Sequence, residues 1–185
     1  MPKGGFSFEG GLDASGLRMA VVVARFNAHV TSPLYDGCRD ELAAHGLPSE
    51  SLEMVEVPGC FELALVAREL GASGRFDAII CIGAIIRGDT PHFDYVSSAT
   101  ANGIQRASLD TGVPVIFGVL TTDNEEQALN RIGGRAGHKG REAALTAIEM
   151  AQTMKRIRAA DGSVHRGASS PRRDGAPQRR RDNGS

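Results

Sequence analysis

The chain has 185 residues, of which 41% are hydrophobic and 23% charged, and its formal net charge is −1. These values are typical of an ordinary globular protein, with the length of one domain plus an extension. No stretch approaches the roughly 18 to 20 consecutive apolar residues of a membrane helix, and the first residues lack the apolar region of a secretion signal, so we expect a soluble, cytoplasmic protein.

The first predicted strand and helix are marked by composition and by end signals. Residues 18–26 form a β-branched run without helical spacing, which predicts a strand buried on both faces. A helix should follow, with Thr31 or Ser32 as N-cap, Pro33 at the first helical position and Gly46 as its end. The chain therefore begins with a strand-helix unit.

The same alternation continues through the middle of the chain. Residues 51–57 alternate as a half-buried strand does, and they end at Pro58-Gly59. Residues 61–71 repeat apolar positions at helical spacing, and residues 77–83 form another buried run. Residues 93–111 are again helical in pattern. Two further strand-helix units are therefore expected.

A fourth unit completes the pattern. Residues 113–120 predict a strand, and a capping box from Thr122 to Glu125 is expected to open a short helix. A last helix should run from about 139 to 158. The domain is thus expected over residues 17–158, after an N-terminal arm of residues 1–16.

Residues 159–185 have the composition of a tail. They are rich in Gly, Ser, Pro and Arg, and residues 155–185 carry nine Lys and Arg against three Asp. Such a stretch cannot bury enough apolar surface to offset the entropy lost on ordering, so a disordered tail is predicted. A solvated extension is favoured over nucleic-acid binding, because the rest of the chain is acidic and would repel a phosphate backbone.

Four alternations of strand and helix predict a parallel sheet covered on both faces. Strands joined by helical crossovers run parallel, so we expect a three-layer α/β/α sandwich with a four-stranded, flavodoxin-like sheet. Ligands of such sheets bind beyond the carboxyl ends of the strands. The stretches expected there are Phe26-Asn27, Gly59 to Glu62, Gly83 to His92, and the region after Phe117.

The segment "GAIIRGDTPHFDYV" is close to a P-loop but lacks its chemistry. Asp89 stands at the position of the P-loop lysine and would repel phosphate, which disfavours a nucleotide hydrolase. Arg87, the Thr90 hydroxyl and backbone N–H groups ahead of a helix remain, and these are the ingredients of a metal-free anion site. A small phosphorylated metabolite therefore fits this segment better than a nucleotide.

Several side chains near this segment admit two interpretations. His92 could transfer protons at the strand edge or be a hydrogen-bonded surface histidine. Phe26 could stack on a flat heterocycle or belong to the core. Glu62 could contact a ligand or favour the positive end of its helix. Arg131 flanks an apolar helical stripe, from which it could reach a neighbouring subunit.

The cysteines point to neither a disulfide framework nor a zinc site. Cys38, Cys60 and Cys81 are odd in number and lack C-x-x-C spacing, so buried thiols are expected. Cys60 and His92 raise the alternative of a cysteine nucleophile, for which no orienting third residue can be placed.

Five stretches in order carry a family resemblance over roughly residues 17–154: "ARFN", "VPGCFE", "GAIIRGDTPHFDYV", "GVPVIFGVLTTDNEEQA" and "AGHKG". Together they resemble the successive motifs of the lumazine synthase family. The resemblance implies condensation of 5-amino-6-(D-ribitylamino)uracil with 3,4-dihydroxy-2-butanone 4-phosphate to 6,7-dimethyl-8-ribityllumazine, the penultimate step of riboflavin biosynthesis. It implies a transferase without cofactor or metal. The alternative is a catalytically idle shell, or a flavin- or lumazine-binding protein, of the same fold.

The resemblance also implies how the first substrate is held. Phe26 would stack on its pyrimidine. The residues implied at its ribityl chain are Cys60, Phe61 and Glu62, and those implied at its ring edge are Ala84, Ile85 and Ile86. Cys60 departs from the small alanine or serine usual in the family.

For the phosphorylated substrate, the resemblance implies binding by Asp89 and Thr90, a phosphate clamp by Arg131 and proton transfer by His92. The residues implied to come from the adjacent subunit are Phe117, Arg131 and Lys139. The site would then exist only in a homo-oligomer. The family forms pentamers, which in many members assemble into 60-subunit shells, and riboflavin synthase enclosed by such a shell is a candidate partner.

Overall fold

A computed structural model describes residues 11–162, and its centre is a four-stranded parallel sheet with the order β2-β1-β3-β4. The strands are β1 (Met19–Ala24), β2 (Leu52–Val57), β3 (Ala78–Ile86) and β4 (Val115–Thr122). The helices are α1 (Ala28–Ala44), α2 (Leu63–Ala72), α3 (His92–Thr111), α4 (Glu125–Leu129) and α5 (Lys139–Gly162). Short 3-10 turns cover Ser49–Ser51 and Cys60–Glu62, and a hairpin joins β5 (Ile132–Gly134) to β6 (Gly137–His138).

The core lies in two layers, one on each face of the sheet. Alternate residues of β1 enter opposite layers: Val21 packs with α1 and α5, whereas Val22 packs with α2 and α3. All six residues of β1 are buried, as expected of a central parallel strand. The predicted three-layer sandwich is therefore confirmed. Within residues 11–162, no helix is both long and apolar enough to cross a membrane.

The first helix begins earlier than predicted. α1 begins at Ala28 and includes Pro33, so neither Thr31 nor Ser32 is its N-cap. Its N-cap is Asn27, whose left-handed backbone (φ 61°) lets its carbonyl accept from the N–H groups of Val30 and Thr31. The Asn27 amide also donates to the carbonyl of Ala84 at 2.9 Å. This contact with a distant strand is not visible in the local sequence signals.

Two strands end later than predicted, which changes the local setting of several residues. β3 continues to Ile86, so the connecting segment begins at Arg87 rather than at Gly83. β4 continues to Thr122, so Phe117 lies inside the strand and the segment beyond its carboxyl end begins at Asp123. The predicted capping box is wrong because Thr122 is buried in β4.

The structure also differs around α4 and at the ends of the domain. Asn124 caps α4, and its side-chain oxygen accepts from Gln127 N at 2.9 Å. The β5–β6 hairpin was not predicted. α5 continues to Gly162, beyond its predicted end, while the rest of the predicted tail lies outside the described residues. Of the predicted arm, residues 11–16 are described, and Ala14 packs into the core beside α5.

Candidate active site

Backbone and side-chain hydrogen bonds gather the carboxyl ends of β1, β2 and β3 at one edge of the sheet. The N–H of Phe26 donates to the carbonyl of Pro58 at 3.1 Å, and the Asn27 amide donates to Ala84. The Phe26 ring itself is 71% exposed, which excludes the core role that its position allowed. The backbone of Phe26 is thus fixed while its ring face is open to solvent.

The turn after β2 is held from within and from β3. The Glu62 carboxylate accepts from the N–H of Gly59 at 3.0 Å, so it closes the turn that carries Cys60 and Phe61. Phe61 is exposed, whereas Cys60 is buried beside Gly83. A Cβ on Gly83 would lie 2.5 Å from the Cys60 sulfur, so the absence of a side chain at Gly83 permits this approach. The turn therefore packs directly against β3.

The environment of Cys60 disfavours a cysteine nucleophile. Burial raises the pKa of its thiol to about 11, and a hydrogen bond with the Ala84 backbone opposes this rise only in part. A thiol with this pKa is almost entirely protonated near neutrality, whereas the thiolate is the nucleophile. Cys38 and Cys81 are also free and buried, as predicted.

The end of β3 leads into an exposed loop and then into α3. Ala84 and Ile85 are buried and Ile86 is half-buried, so these residues present mainly backbone at the sheet edge. Asp89 and Thr90 are exposed in the loop. His92 is the first residue of α3 and is also exposed, which places an accessible imidazole beside the loop.

Arg87 is engaged by carboxylates, and this conflicts with its predicted part in an anion site. Its guanidinium lies 3.2 Å from Asp94 in α3 and 3.2 Å from Asp123, which follows β4. It also lies over the Phe93 ring, with 4.0 Å from Cζ to the ring centroid. The hydrogen bonds to Asp94 and Asp123 raise its pKa. The charge of Arg87 is thus balanced within the chain.

Three further predicted site residues lie along β4 and the β5–β6 hairpin. Phe117, in the edge strand β4, and Lys139, at the start of α5, line one groove of about 410 Å³. The hairpin brings Arg131 next to Lys139, since the N–H of Lys139 donates to the carbonyl of Arg131 at 2.8 Å. Arg131 follows the end of α4, and its Nη1 donates to the carbonyl of Gln127 at 2.8 Å.

The predicted site residues therefore form two groups. One group surrounds the carboxyl ends of β1 to β3, from Phe26 to His92, and the other follows β4 and the hairpin. Neither Phe26 nor His92 lines the groove that holds Phe117 and Lys139. The first group supplies an aromatic face, backbone polar groups and an imidazole, and the second supplies two cations and a ring.

A comparison with known protein families assigns the chain to one of them. The family model of 6,7-dimethyl-8-ribityllumazine synthase matches residues 16–155. The chain belongs to this family. Membership in the 6,7-dimethyl-8-ribityllumazine synthase family implies a transferase-type enzyme of riboflavin biosynthesis, and the matched residues include both groups of site residues.

Two features of the candidate site could not be predicted from the sequence motifs. Asn27 connects β1 to β3 through its hydrogen bond to Ala84. The residue type was a signal for this conformation, because asparagine adopts left-handed backbone more readily than most residues. The partners of Arg87 carried no such signal, because Asp123 lies 36 residues further along the chain.

Proposed function

We propose that this chain condenses 5-amino-6-(D-ribitylamino)uracil with 3,4-dihydroxy-2-butanone 4-phosphate to form 6,7-dimethyl-8-ribityllumazine. The observation that carries the proposal is the family match over residues 16–155, because it includes every residue gathered at the carboxyl edge of the sheet. The edge supplies an open aromatic face at Phe26 and a fixed turn at Cys60–Glu62, as a flat ring with a polyol chain requires.

In this proposal, the uracil ring stacks on Phe26, and the ribityl chain runs along the turn after β2. Stacking suits an exposed phenylalanine whose backbone is fixed, since little conformational freedom is then lost on binding. Glu62 already accepts from Gly59, so its second oxygen is the one offered to a ribityl hydroxyl. The backbone of Ala84, Ile85 and Ile86 faces the edge of the ring.

The phosphorylated substrate would lie at the loop after β3, next to Asp89 and Thr90. Because Arg87 is balanced by Asp94 and Asp123, we expect the phosphate charge to be met by another cation. Arg131 and Lys139 are held together by the hairpin, and we assign them to the cleft of an adjacent subunit. An arginine suits this role because its planar donors match a phosphate group.

The shared cleft requires an assembly, and the surface supports one. Large apolar side chains are exposed on the outer helices, among them Leu65 of α2 and Tyr95 and Leu109 of α3. Covering such side chains in an interface removes apolar surface from water, which favours association. We propose a cyclic homopentamer, in which the Phe26 side of one subunit meets the Arg131 side of the next.

The proposed chemistry uses positioning and proton transfer. The free amine of the uracil attacks the ketone and water leaves to form a Schiff base, then phosphate is eliminated. Elimination leaves an enol, which becomes a carbonyl by proton transfer, and this carbonyl closes on the second amine with loss of water. Holding two reactants in register supplies about 7 to 11 kcal/mol of barrier reduction, whereas one acid-base group gives about 10²- to 10⁴-fold. His92 is the proposed proton-transfer group.

The test is turnover with both substrates in the presence of a metal chelator and without nucleotide. The lumazine product is followed by its absorbance, and a reaction without protein gives the uncatalysed rate. We expect catalysed, metal-independent product formation. Binding of the ribitylaminouracil without turnover would instead indicate the catalytically idle relative, and the proposal would be wrong.

A further inference from the structure

Arg87 lies where three parts of the site edge meet. It follows β3 directly, and its backbone N–H donates to the carbonyl of Thr122 at the end of β4 at 2.9 Å. Its side chain contacts Asp94 and Phe93 in the first turn of α3, and Asp123 in the segment between β4 and α4. One residue therefore connects the sheet edge to the beginning of α3.

The geometry constrains the first turn of α3 in more than one direction. The Nη2 atom of Arg87 is 3.2 Å from Asp94, its Nε is 3.2 Å from Asp123, and the guanidinium plane lies over Phe93. A single exposed ion pair contributes little to stability. Contacts from one planar group to an acid, a second acid and a ring nevertheless fix the direction of the segment that they join.

His92 immediately precedes Phe93 and belongs to this turn. A rotation of the turn about the helix axis would therefore carry the imidazole with it, since the Arg87 contacts to Phe93 and Asp94 are one and two residues further along the chain. An acid-base group works only when it lies within hydrogen-bond reach of the reacting atom. The placement of His92 therefore depends on what holds this turn.

We propose that Arg87 is a positioning residue for the reaction and that it acts by holding the His92 turn of α3 against β3 and the β4–α4 segment. The inference rests on the proposed function and adds to it, because Arg87 is assigned no contact with either substrate. Two carboxylates balance its charge and direct the guanidinium into the protein's own contacts, which is the opposite of what a phosphate ligand needs.

The chain offers a matched control at the other end of β3. Arg75 is also held between a carboxylate and a ring: its Nη1 lies 2.6 Å from Glu53, and its Cζ lies 4.6 Å from the Phe76 ring centroid. It precedes β3, whereas Arg87 follows it, so Arg75 is at the edge opposite the site. Arg75→Ala therefore removes similar contacts without disturbing the His92 turn.

The experiment compares Arg87→Ala, Arg87→Lys and Arg75→Ala by steady-state kinetics of the full chain. We expect Arg87→Ala to lower kcat by about 10- to 100-fold, the range that follows from misplacing a reacting group. Its KM for the ribitylaminouracil should remain within about twofold, as should both parameters of Arg75→Ala, since surface changes remote from special features have small effects. Arg87→Lys should recover only part of kcat, because an ammonium lacks the planar group that bonds to two carboxylates while stacking on a ring.

A double substitution separates positioning from general stability. If Arg87 acts through His92, Arg87→Ala should add almost nothing to His92→Ala, because the group that it positions is already absent. Multiplicative losses would overturn the inference. An active wild type in which Arg87→Ala resembles Arg75→Ala would also overturn it.

A readout that does not depend on turnover keeps the two proposals distinguishable. Amide hydrogen exchange over residues 88–96 should become faster in Arg87→Ala and stay unchanged in Arg75→Ala, since local opening is reported residue by residue. Failure of wild-type turnover would refute the proposed function, and the exchange result would still decide whether Arg87 holds this turn. Unchanged exchange in Arg87→Ala would refute the inference.

Discussion

Substitution of Gly83 by alanine tests the contact that seats the Cys60 turn on β3. The added Cβ would lie 2.5 Å from the Cys60 sulfur, 3.3 Å from Leu63 Cδ1 and 3.4 Å from Val119 Cγ2. Optimal contacts between carbon atoms are about 3.5 to 4.0 Å, so the sulfur must move by about 1 Å. Its movement is restricted because Cys60 is buried in the same core cluster as Leu63 and Val119.

The size of the effect follows from overpacking. Forcing an extra methyl group into a filled core costs about 1 to 3 kcal/mol of unfolding free energy. Cys60→Ala alone removes a group about as large as a methylene, which costs about 1 kcal/mol. In the double variant, the new methyl group occupies the space left by the sulfur. We therefore expect the double variant to be more stable than Gly83→Ala, although it carries one substitution more.

Urea unfolding at one fixed protein concentration measures this prediction, because the proposed assembly would make apparent stability depend on concentration. A loss of about 2 kcal/mol lowers the midpoint by about 1 M urea at an ordinary denaturant slope. We expect Gly83→Ala to show this loss and Cys60→Ala to recover most of it. If Gly83→Ala were as stable as wild type, or if Cys60→Ala made it worse, the Cys60–Gly83 contact would be wrong.

Three further predictions concern the proposed reaction. His92→Ala should lower kcat by about 10²- to 10⁴-fold without abolishing turnover, since the substrates remain aligned; an unchanged kcat would contradict its role. Arg131→Ala should raise the KM of the phosphorylated substrate about 10- to 100-fold, through loss of a charge-assisted hydrogen bond; an unchanged KM would refute the phosphate assignment. Removing residues 163–185, which contain no predicted site residue, should leave kcat unchanged, and a large drop would show otherwise.

The sheet could be predicted from sequence because its strands carry unmistakable composition. The apolar run of β1 is buried on both faces, and four alternations of strand and helix leave few topologies. Helix starts were less predictable, because they depend on contacts with distant residues. Pro33 suggested a start that Asn27 overrides through its bond to Ala84. Likewise, Thr122 has the sequence of a cap but is buried in β4.

The candidate site, too, could be predicted only in part from the sequence. Phe26 and the Gly59–Glu62 turn could be placed at one edge from sequence, since parallel strands end together. Arg87 was assigned to an anion site because neither the Asp123 contact nor the stacking on Phe93 can be inferred from a local motif. Phe117 and Arg131 lie along β4 and next to the hairpin, and the proposed adjacent subunit is what would bring such residues to a Phe26 ring.

The shared cleft is the central proposal, and mixed assemblies of two inactive variants test it most directly. Phe26→Asp places a charge where the uracil should stack, and Arg131→Ala removes the proposed phosphate ligand. With the phosphorylated substrate near its wild-type KM, each variant alone should have little activity. In a head-to-tail ring, equal co-expression leaves about a quarter of the clefts with both halves intact.

The matched control is wild type co-expressed with the double variant that carries both substitutions. A shared cleft predicts about a quarter of wild-type activity for this mixture and for the mixture of single variants, because each cleft takes one half from each of two subunits. A cleft within one subunit predicts about half for the control and almost none for the single variants. Recovery to about a quarter in both mixtures would support the account, and inactive mixed rings beside a half-active control would contradict it.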